Sequence, residues 1–129
     1  MEISENVLRL ASEYQAKKMN TDSFEKVLQY IDQHLAETVT LVSVSNACQI
    51  SVSSISQSFR KRKGLSFGEY LTQIRLERSQ ELIAIGTPLK DVAKLSGYKD
   101  YSCFYRAFTK KYGISPREFK LLLRKKING

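Results

Sequence analysis

The stretch Ile55-Ser-Gln-Ser-Phe59-Arg-Lys-Arg-Lys-Gly64-Leu-Ser66 is matched, 49 residues further on, by Phe104-Tyr-Arg-Ala-Phe108-Thr-Lys-Lys-Tyr-Gly113-Ile-Ser115. In each copy two large apolar residues stand four apart. Basic residues follow, then glycine, an aliphatic residue and serine. A short amphipathic stretch and a turn of about four residues precede each copy. The shift falls to 48 when Val44 is set against Val92, so the second turn is longer by one residue. A short helix, a tight turn and a second helix make a helix-turn-helix unit, and this chain carries the pattern twice.

Working outward, apolar spacing of three to four residues recurs almost throughout, and no strand-like alternation competes with it. Ile3, Val7, Leu8, Leu10, Ala11 and Tyr14 predict an N-terminal helix, with Lys17–Thr21 as a polar linker. Phe24, Val27, Leu28, Ile31 and Leu35 predict a helix over about Thr21–Glu37, capped by Thr21, Asp22 or Ser23. Thr40 caps a short helix through Leu41, Val44 and Ala47. Ser51 or Val52 opens the next, which Gly64 stops after Lys63. Ser66 starts a long helix that Gly86 ends. Thr87-Pro88 signals a cap followed by proline at the first helical position, giving a helix Pro88–Leu95 closed near Gly97. Asp100 caps Tyr101–Tyr112, and Ser115-Pro116 repeats the start signal for a last helix with a basic end. The expected fold is therefore all-α, with about seven helices plus the N-terminal one. Two helix-turn-helix subdomains, 21–66 and 87–129, are joined by a linker helix, 67–86, and preceded by the extension 1–20.

Composition bounds the partners. The 129 residues carry a formal net charge of +8, which fits an acidic partner such as nucleic acid or an anionic membrane and equally a merely soluble basic protein, so the placement of the charges decides. No run approaches a membrane span and no signal segment opens the chain, so a cytoplasmic location without membrane contact is expected. Cys48 and Cys103 are too few for a disulfide scaffold and read as small packing residues. With one histidine and no Gly-rich phosphate loop, no metal, cofactor or catalytic set is visible. His34 reads as ordinary surface, and Arg75 as one half of an ion pair with a carboxylate of the linker helix.

Helix geometry then sorts each copy into faces. Ile55 and Phe59 must point inward, which leaves Ser53, Ser56, Gln57 and Arg60 outward. Phe104 and Phe108 point inward in the second copy, with Tyr101, Ser102, Tyr105, Arg106 and Thr109 outward or at the edge. Arg pairs with guanine, Gln with adenine, Ser with several base edges, and apolar surface with the thymine methyl. Neither face carries an acidic side chain beyond Asp100. These outward residues are the candidates for reading base edges. Arg60, Lys61, Arg62, Lys63, Lys110 and Lys111 can flank the groove and neutralise phosphates, with Arg60, Lys61, Lys110 and Lys111 singled out as phosphate candidates. A linker helix of roughly 29 Å against a DNA turn of about 34–36 Å places both reading helices in successive major grooves. Competing readings are a helical protein-interaction module, an RNA binder and an enzyme. The repeated basic faces without carboxylates disfavour the first. The absence of aromatic strand platforms disfavours the second.

The residues Asp91-Val-Ala-Lys-Leu-Ser-Gly-Tyr-Lys-Asp100, Phe104-Tyr-Arg-Ala-Phe108-Thr-Lys-Lys-Tyr-Gly113-Ile-Ser-Pro116-Arg-Glu-Phe119 and Phe67-Gly-Glu-Tyr70-Leu-Thr-Gln-Ile-Arg75-Leu-Glu-Arg together resemble the AraC family of bacterial transcription regulators. The resemblance covers roughly Ser23–Leu123. Gly-Tyr-Lys-Asp is most similar to the members attached to two-component receiver domains. The family implies binding of double-stranded DNA near promoters, activation through RNA polymerase, and reading helices at Val52–Lys63 and Tyr101–Lys111. Its base-contacting positions fall on Ser53, Ser56, Gln57, Tyr101, Ser102 and Arg106, which the resemblance therefore implies as the base-contacting residues. The first unit departs from the pattern: Ser45 holds the small position, Gln49 replaces the turn glycine, and Ser79 stands where the linker helix usually has Ala. Gln in a turn that needs positive φ implies some strain there. The chain is expected to act as a monomer, with dimerisation open through an upstream domain that it lacks.

Overall fold

The computed structural model describes residues 23–128, so the expected helix before Asn20 and the caps Thr21 and Asp22 lie outside it. The described residues are helical with short connections. They form α1 (23–33), α2 (Leu41–Cys48), α3 (Val52–Lys63), α4 (Phe67–Ala84), α5 (Leu89–Leu95), α6 (Tyr101–Tyr112) and α7 (Pro116–Asn128).

Helix starts follow the local chemistry. A helix leaves its first N–H groups without intrahelical partners, and a short polar side chain just before it accepts one of them. Ser51 accepts from the Ser54 N–H (3.1 Å), Ser66 from Glu69 (3.1 Å), Asp100 from Cys103 (2.8 Å) and Ser115 from Glu118 (3.1 Å). At α2 the bonding is reciprocal. The Thr40 hydroxyl accepts from the Ser43 N–H at 3.0 Å, and the Ser43 hydroxyl accepts from the Thr40 N–H at 2.9 Å. Gly64 (φ 69°) and Gly113 (φ 77°) end α3 and α6 in the left-handed region, which explains the glycine of the repeat.

Two cores share one helix. The first gathers Phe24, Val27 and Ile31 of α1, Val44 of α2, and Ile55 and Phe59 of α3, with Phe67 and Leu71 from the start of α4. The second gathers Val92 and Ala93 of α5, and Phe104 and Phe108 of α6, with Leu76 and Ile83 from the rest of α4; Phe119 and Leu123 of α7 pack against it. The linker helix is therefore a wall of both cores. Phe59 and Phe108 are fully buried centres, each worth about 3 kcal/mol in burial alone. Phe59 packs on Phe24, Tyr70 and Phe67 at 5.1, 4.9 and 5.6 Å between ring centres, and Phe108 on Tyr112, Phe119 and Phe104 at 4.7, 5.5 and 5.6 Å. These separations suit edge-to-face packing, which fixes the tilt of α3 and α6.

Three expectations need correction. The helix expected to run to Glu37 ends at residue 33. There the His34 N–H is shared between the carbonyls of Tyr30 and Ile31, and the His34 ring donates from Nδ1 to the Tyr30 carbonyl (2.7 Å) while stacking on the Tyr30 ring. These bonds tighten and close the last turn. The start signal Thr87-Pro88 is also displaced by one position: α5 begins at Leu89, Pro88 occupies the cap position with extended ψ (138°), and no side chain caps it. The Pro88 carbonyl takes the N–H groups of Asp91 and Val92 instead. Among the described residues Arg75 makes no ion pair with a carboxylate; it donates from Nη2 to the backbone carbonyl of Glu37 at 3.2 Å. Thr109 lies half-buried at the edge of the α6 face, with its hydroxyl oxygen turned inward. Ser79 is fully buried without an outside partner because its hydroxyl bonds the Leu76 carbonyl one turn back (2.6 Å).

Candidate nucleic-acid interface

The inward anchors dictate what the two second helices expose. In α3, burial of Ile55 and Phe59 turns Ser53 and Gln57 to solvent, with Ser56 half-buried beside them. In α6, burial of Phe104 and Phe108 leaves Tyr101, Ser102 and Arg106 exposed. The faces differ in character. That of α3 is short, hydroxylic and amide-bearing. That of α6 carries an aromatic pair, Tyr101 and Tyr105, with rings 6.2 Å apart and both more than a third exposed, next to the Arg106 guanidinium.

Local contacts steady the α6 face. Tyr101 also packs edge-on against buried Phe104 (5.9 Å), so its ring is held from below. Partial burial pushes its phenol pKa up, Tyr105 adds to this and nearby Arg117 opposes it. The hydroxyl therefore stays protonated at neutral pH and able to donate. Arg106 reaches back over Cys103, with Nη2 3.8 Å from Sγ, which leaves its other N–H groups free. The one carboxylate here is Asp100 at the helix start. Its pKa is held below the usual carboxylate range, first by the Cys103 backbone N–H and also by Lys99 and Arg106. It is ionised at neutral pH and bonded to the N-terminus of α6, where negative charge is favoured.

The four consecutive cations of α3 divide into two pairs. The Arg62 guanidinium lies 5.2 Å over the Phe24 ring, and the Lys63 ammonium 5.8 Å over the Tyr70 ring. Both are turned back to the rim of the first core by cation–π attraction. Arg60 and Lys61 are exposed and carry no such contact. Lys110 and Lys111 occupy the same exposed position at the end of α6. Arg117, which sequence reasoning did not single out, is exposed in the first turn of α7 and near enough to Tyr101 to act on its ionisation. Its signal was weak, because it lies outside the repeat. Of the cysteines, Cys48 and Cys103 are both half-buried and free, and burial pushes the Cys48 thiol up despite nearby Lys26.

Among the described residues no helix is long and apolar enough to cross a membrane, and no group of three or more His, Cys, Asp or Glu side chains is placed to hold a metal.

Comparison with known proteins agrees with this architecture. A family model described as a helix-turn-helix domain matches residues 44–121. A transcriptional regulator of Escherichia coli, YijO, is 34% identical over 112 residues, which is 86% of this chain and 40% of that protein. The lactose operon transcription activator of Staphylococcus xylosus is 32% identical over 100 residues, 77% of this chain and 36% of that one. Among solved structures, the C-terminal domain of AraT, a response regulator from Geobacillus stearothermophilus, superposes with a TM-score of 0.72 at 30% identity, covering 78% of this chain and 84% of that domain. The chain spans between 36% and 50% of the length of the first curated relatives it matches. With the family model running from within α2 through the linker helix into α7, more than half of the chain, the chain belongs to the AraC family of helix-turn-helix DNA-binding transcription regulators.

Proposed function

We propose that the chain reads one asymmetric stretch of duplex DNA by laying α3 and α6 in successive major grooves, and that this docking activates transcription through RNA polymerase. The single observation that carries the reading is the duplicated face: each unit buries its large apolar pair and turns a carboxylate-poor, hydrogen-bonding surface outward. Ser53, Ser56 and Gln57 are assigned to base edges in one groove, and Tyr101, Ser102 and Arg106 in the next. Arg106 suits guanine, Gln57 suits adenine, and the Tyr101 ring suits a thymine methyl. Arg60, Lys61, Lys110 and Lys111, joined by Arg117, neutralise phosphates.

Spacing supports the same reading. The 18 residues of α4 give a rod of roughly 27 Å at 1.5 Å per residue, comparable with a DNA turn of about 34–36 Å once the width of the units is added. The working units are residues 21–66 and 87–129, with 67–86 as the shared strut. One copy of the chain supplies both reading helices, so no symmetric partner is required. Activation is drawn from the S. xylosus relative, which is named as a transcription activator, and RNA polymerase is proposed as the partner through which such activation acts.

Selection of bound duplexes from a random pool tests this reading. The expected result is a bipartite, non-palindromic site with half-sites centred one helical turn apart. The affinity for that site should fall with log salt at a slope of about −4 or steeper, given four or five neutralised phosphates. A single short motif, a palindrome, or binding without sequence preference overturns it.

A further inference from the structure

The linker helix also brings the two units into direct contact. Near its middle, Arg75 donates from Nη2 to the Glu37 carbonyl (3.2 Å), in the segment between α1 and α2. Three residues on, Arg78 meets the Asp32 carboxylate of α1 at 3.2 Å. Both arginines fasten the first unit to α4. The turn of the second unit packs beside Arg75. Gly97 has φ 94°, and a Cβ built on it would collide with the Leu35 carbonyl oxygen and stand 2.6 Å from Arg75 Nε. The backbone of the second unit thus rests on the backbone of the first, with the guanidinium wedged alongside.

This arrangement is a poor choice for stability alone. Among the described residues Arg75 Nε is buried without a hydrogen-bond partner, and so is the hydroxyl of Tyr98, next to Gly97. Burial pulls the guanidinium pKa down, while Tyr98 acts in the opposite direction. A buried donor left unmade carries a penalty that an apolar side chain of similar length avoids. A planar guanidinium provides a rigid spacer with a directed bond, which a flexible chain does not.

We propose that Arg75 is a positioning residue that fixes the angle between the two reading helices and so sets which half-site spacing the protein accepts. It touches no base. It acts through Glu37 on the first unit and through Gly97 on the second. The inference rests on the two-groove reading above, and its test separates the two.

The test uses the duplex recovered by selection, the same duplex with two base pairs inserted between its half-sites, and each half-site alone. Dissociation constants are measured by fluorescence anisotropy for the unaltered chain, Arg75→Met, Arg75→Lys and Arg78→Met. Arg75→Met is expected to bind the full site about tenfold more weakly, to bind each half-site within twofold of the unaltered chain, and to discriminate less against the inserted spacing. Arg75→Lys keeps the charge without the fork and is expected to follow Arg75→Met; it carries the same readout if the methionine variant does not fold. Arg78→Met, which loosens only the first unit, is expected to keep the spacing preference. An equal loss on full and half-sites, or a spacing preference unchanged in both Arg75 variants, overturns the proposal. An unaltered chain with no spacing preference overturns the two-groove reading instead.

Discussion

The two units close their turns with the same bond and different residues. In the first, the Ile50 N–H donates to the Ser45 carbonyl at 3.2 Å; in the second, the Tyr98 N–H donates to the Ala93 carbonyl at 2.9 Å. Both closures leave one residue in the left-handed region, Gln49 (φ 56°) in the first and Gly97 (φ 94°) in the second. Only Gly97 lies against other backbone, that of Leu35, whereas Gln49 is exposed. The first turn has an extra device: the Ser45 hydroxyl donates to the Ile50 carbonyl, tying the strained loop to the helix before it. The comparison separates two reasons for a turn glycine. Conformation alone is negotiable at a cost of about 1–2 kcal/mol; lack of room is not.

The largest expected effect breaks the tighter turn. Gly97→Ala adds a methyl group where the Leu35 carbonyl and Arg75 Nε already stand, at a φ that alanine dislikes. Strain and overpacking together predict a loss of about 2–4 kcal/mol in urea denaturation. A loss below about 1 kcal/mol would mean that the units part readily, and the direct contact between them would carry no weight.

The reading faces differ as the turns do. The α6 face offers a guanidinium and two aromatic rings, and the α3 face offers hydroxyls and one amide. Arg106→Ala should cost about 1–3 kcal/mol in binding to the preferred duplex and relax the preference at one base pair. Gln57→Ala, removing a neutral amide, should cost less, at about 1 kcal/mol. Competition titrations with single-base variants of the site measure both. A uniform loss on every sequence would move Arg106 to phosphate contact, and a larger loss for Gln57 would reverse the assigned ranking of the two units.

Much of this was legible because it is local. Apolar pairs four apart, a polar cap before each helix and a glycine after it are relations among near neighbours, so the repeat revealed α3 and α6 with their inward and outward faces. The shift of 48 before the turn and 49 after it located the extra residue between Gly97 and Asp100. What escaped is contact through space. Leu35 and Gly97 are distant in sequence and share no periodic signal. Arg75 looked like a helix-surface cation seeking a carboxylate, and nothing local indicates that a carbonyl from another segment takes it. Arg62 and Lys63 belong to a uniform basic run in the sequence, and only the positions of Phe24 and Tyr70 separate them from Arg60 and Lys61.

The start signals of α5 and α7 sharpen the comparison at smaller scale. Thr87-Pro88 and Ser115-Pro116 read alike, yet only Ser115 caps its helix. Pro116 is the first residue of α7 and is fully buried, whereas Pro88 sits one position earlier, in the cap itself, and is exposed. Ser115→Ala should therefore lower stability by about 1 kcal/mol. Thr87→Ala should change it by less than about 0.5 kcal/mol, as expected for a half-buried side chain that makes no capping bond. Equal losses in thermal denaturation would show that Thr87 also holds its helix in solution.

A small effect of the opposite sign is expected in the first turn. Gln49→Gly relieves the left-handed strain of the first turn, worth about 1–2 kcal/mol, and gives back part of it because glycine frees the unfolded chain by about 0.4–1 kcal/mol. The Ser45 hydroxyl bond is untouched by the change, since it runs to the Ile50 carbonyl. The net expectation is a gain of about 0.5 kcal/mol, read as a raised urea midpoint with an unchanged slope. In the double variant with Ser45→Ala, the benefit of glycine should grow, because the turn then lacks its tie and depends more on an unstrained backbone. If Gln49→Gly destabilises the protein instead, the glutamine side chain is making contacts over Lys26 and Gln29, beside which it lies, that outweigh its backbone strain. The two turns would then differ by side-chain packing and not by the room available to a Cβ.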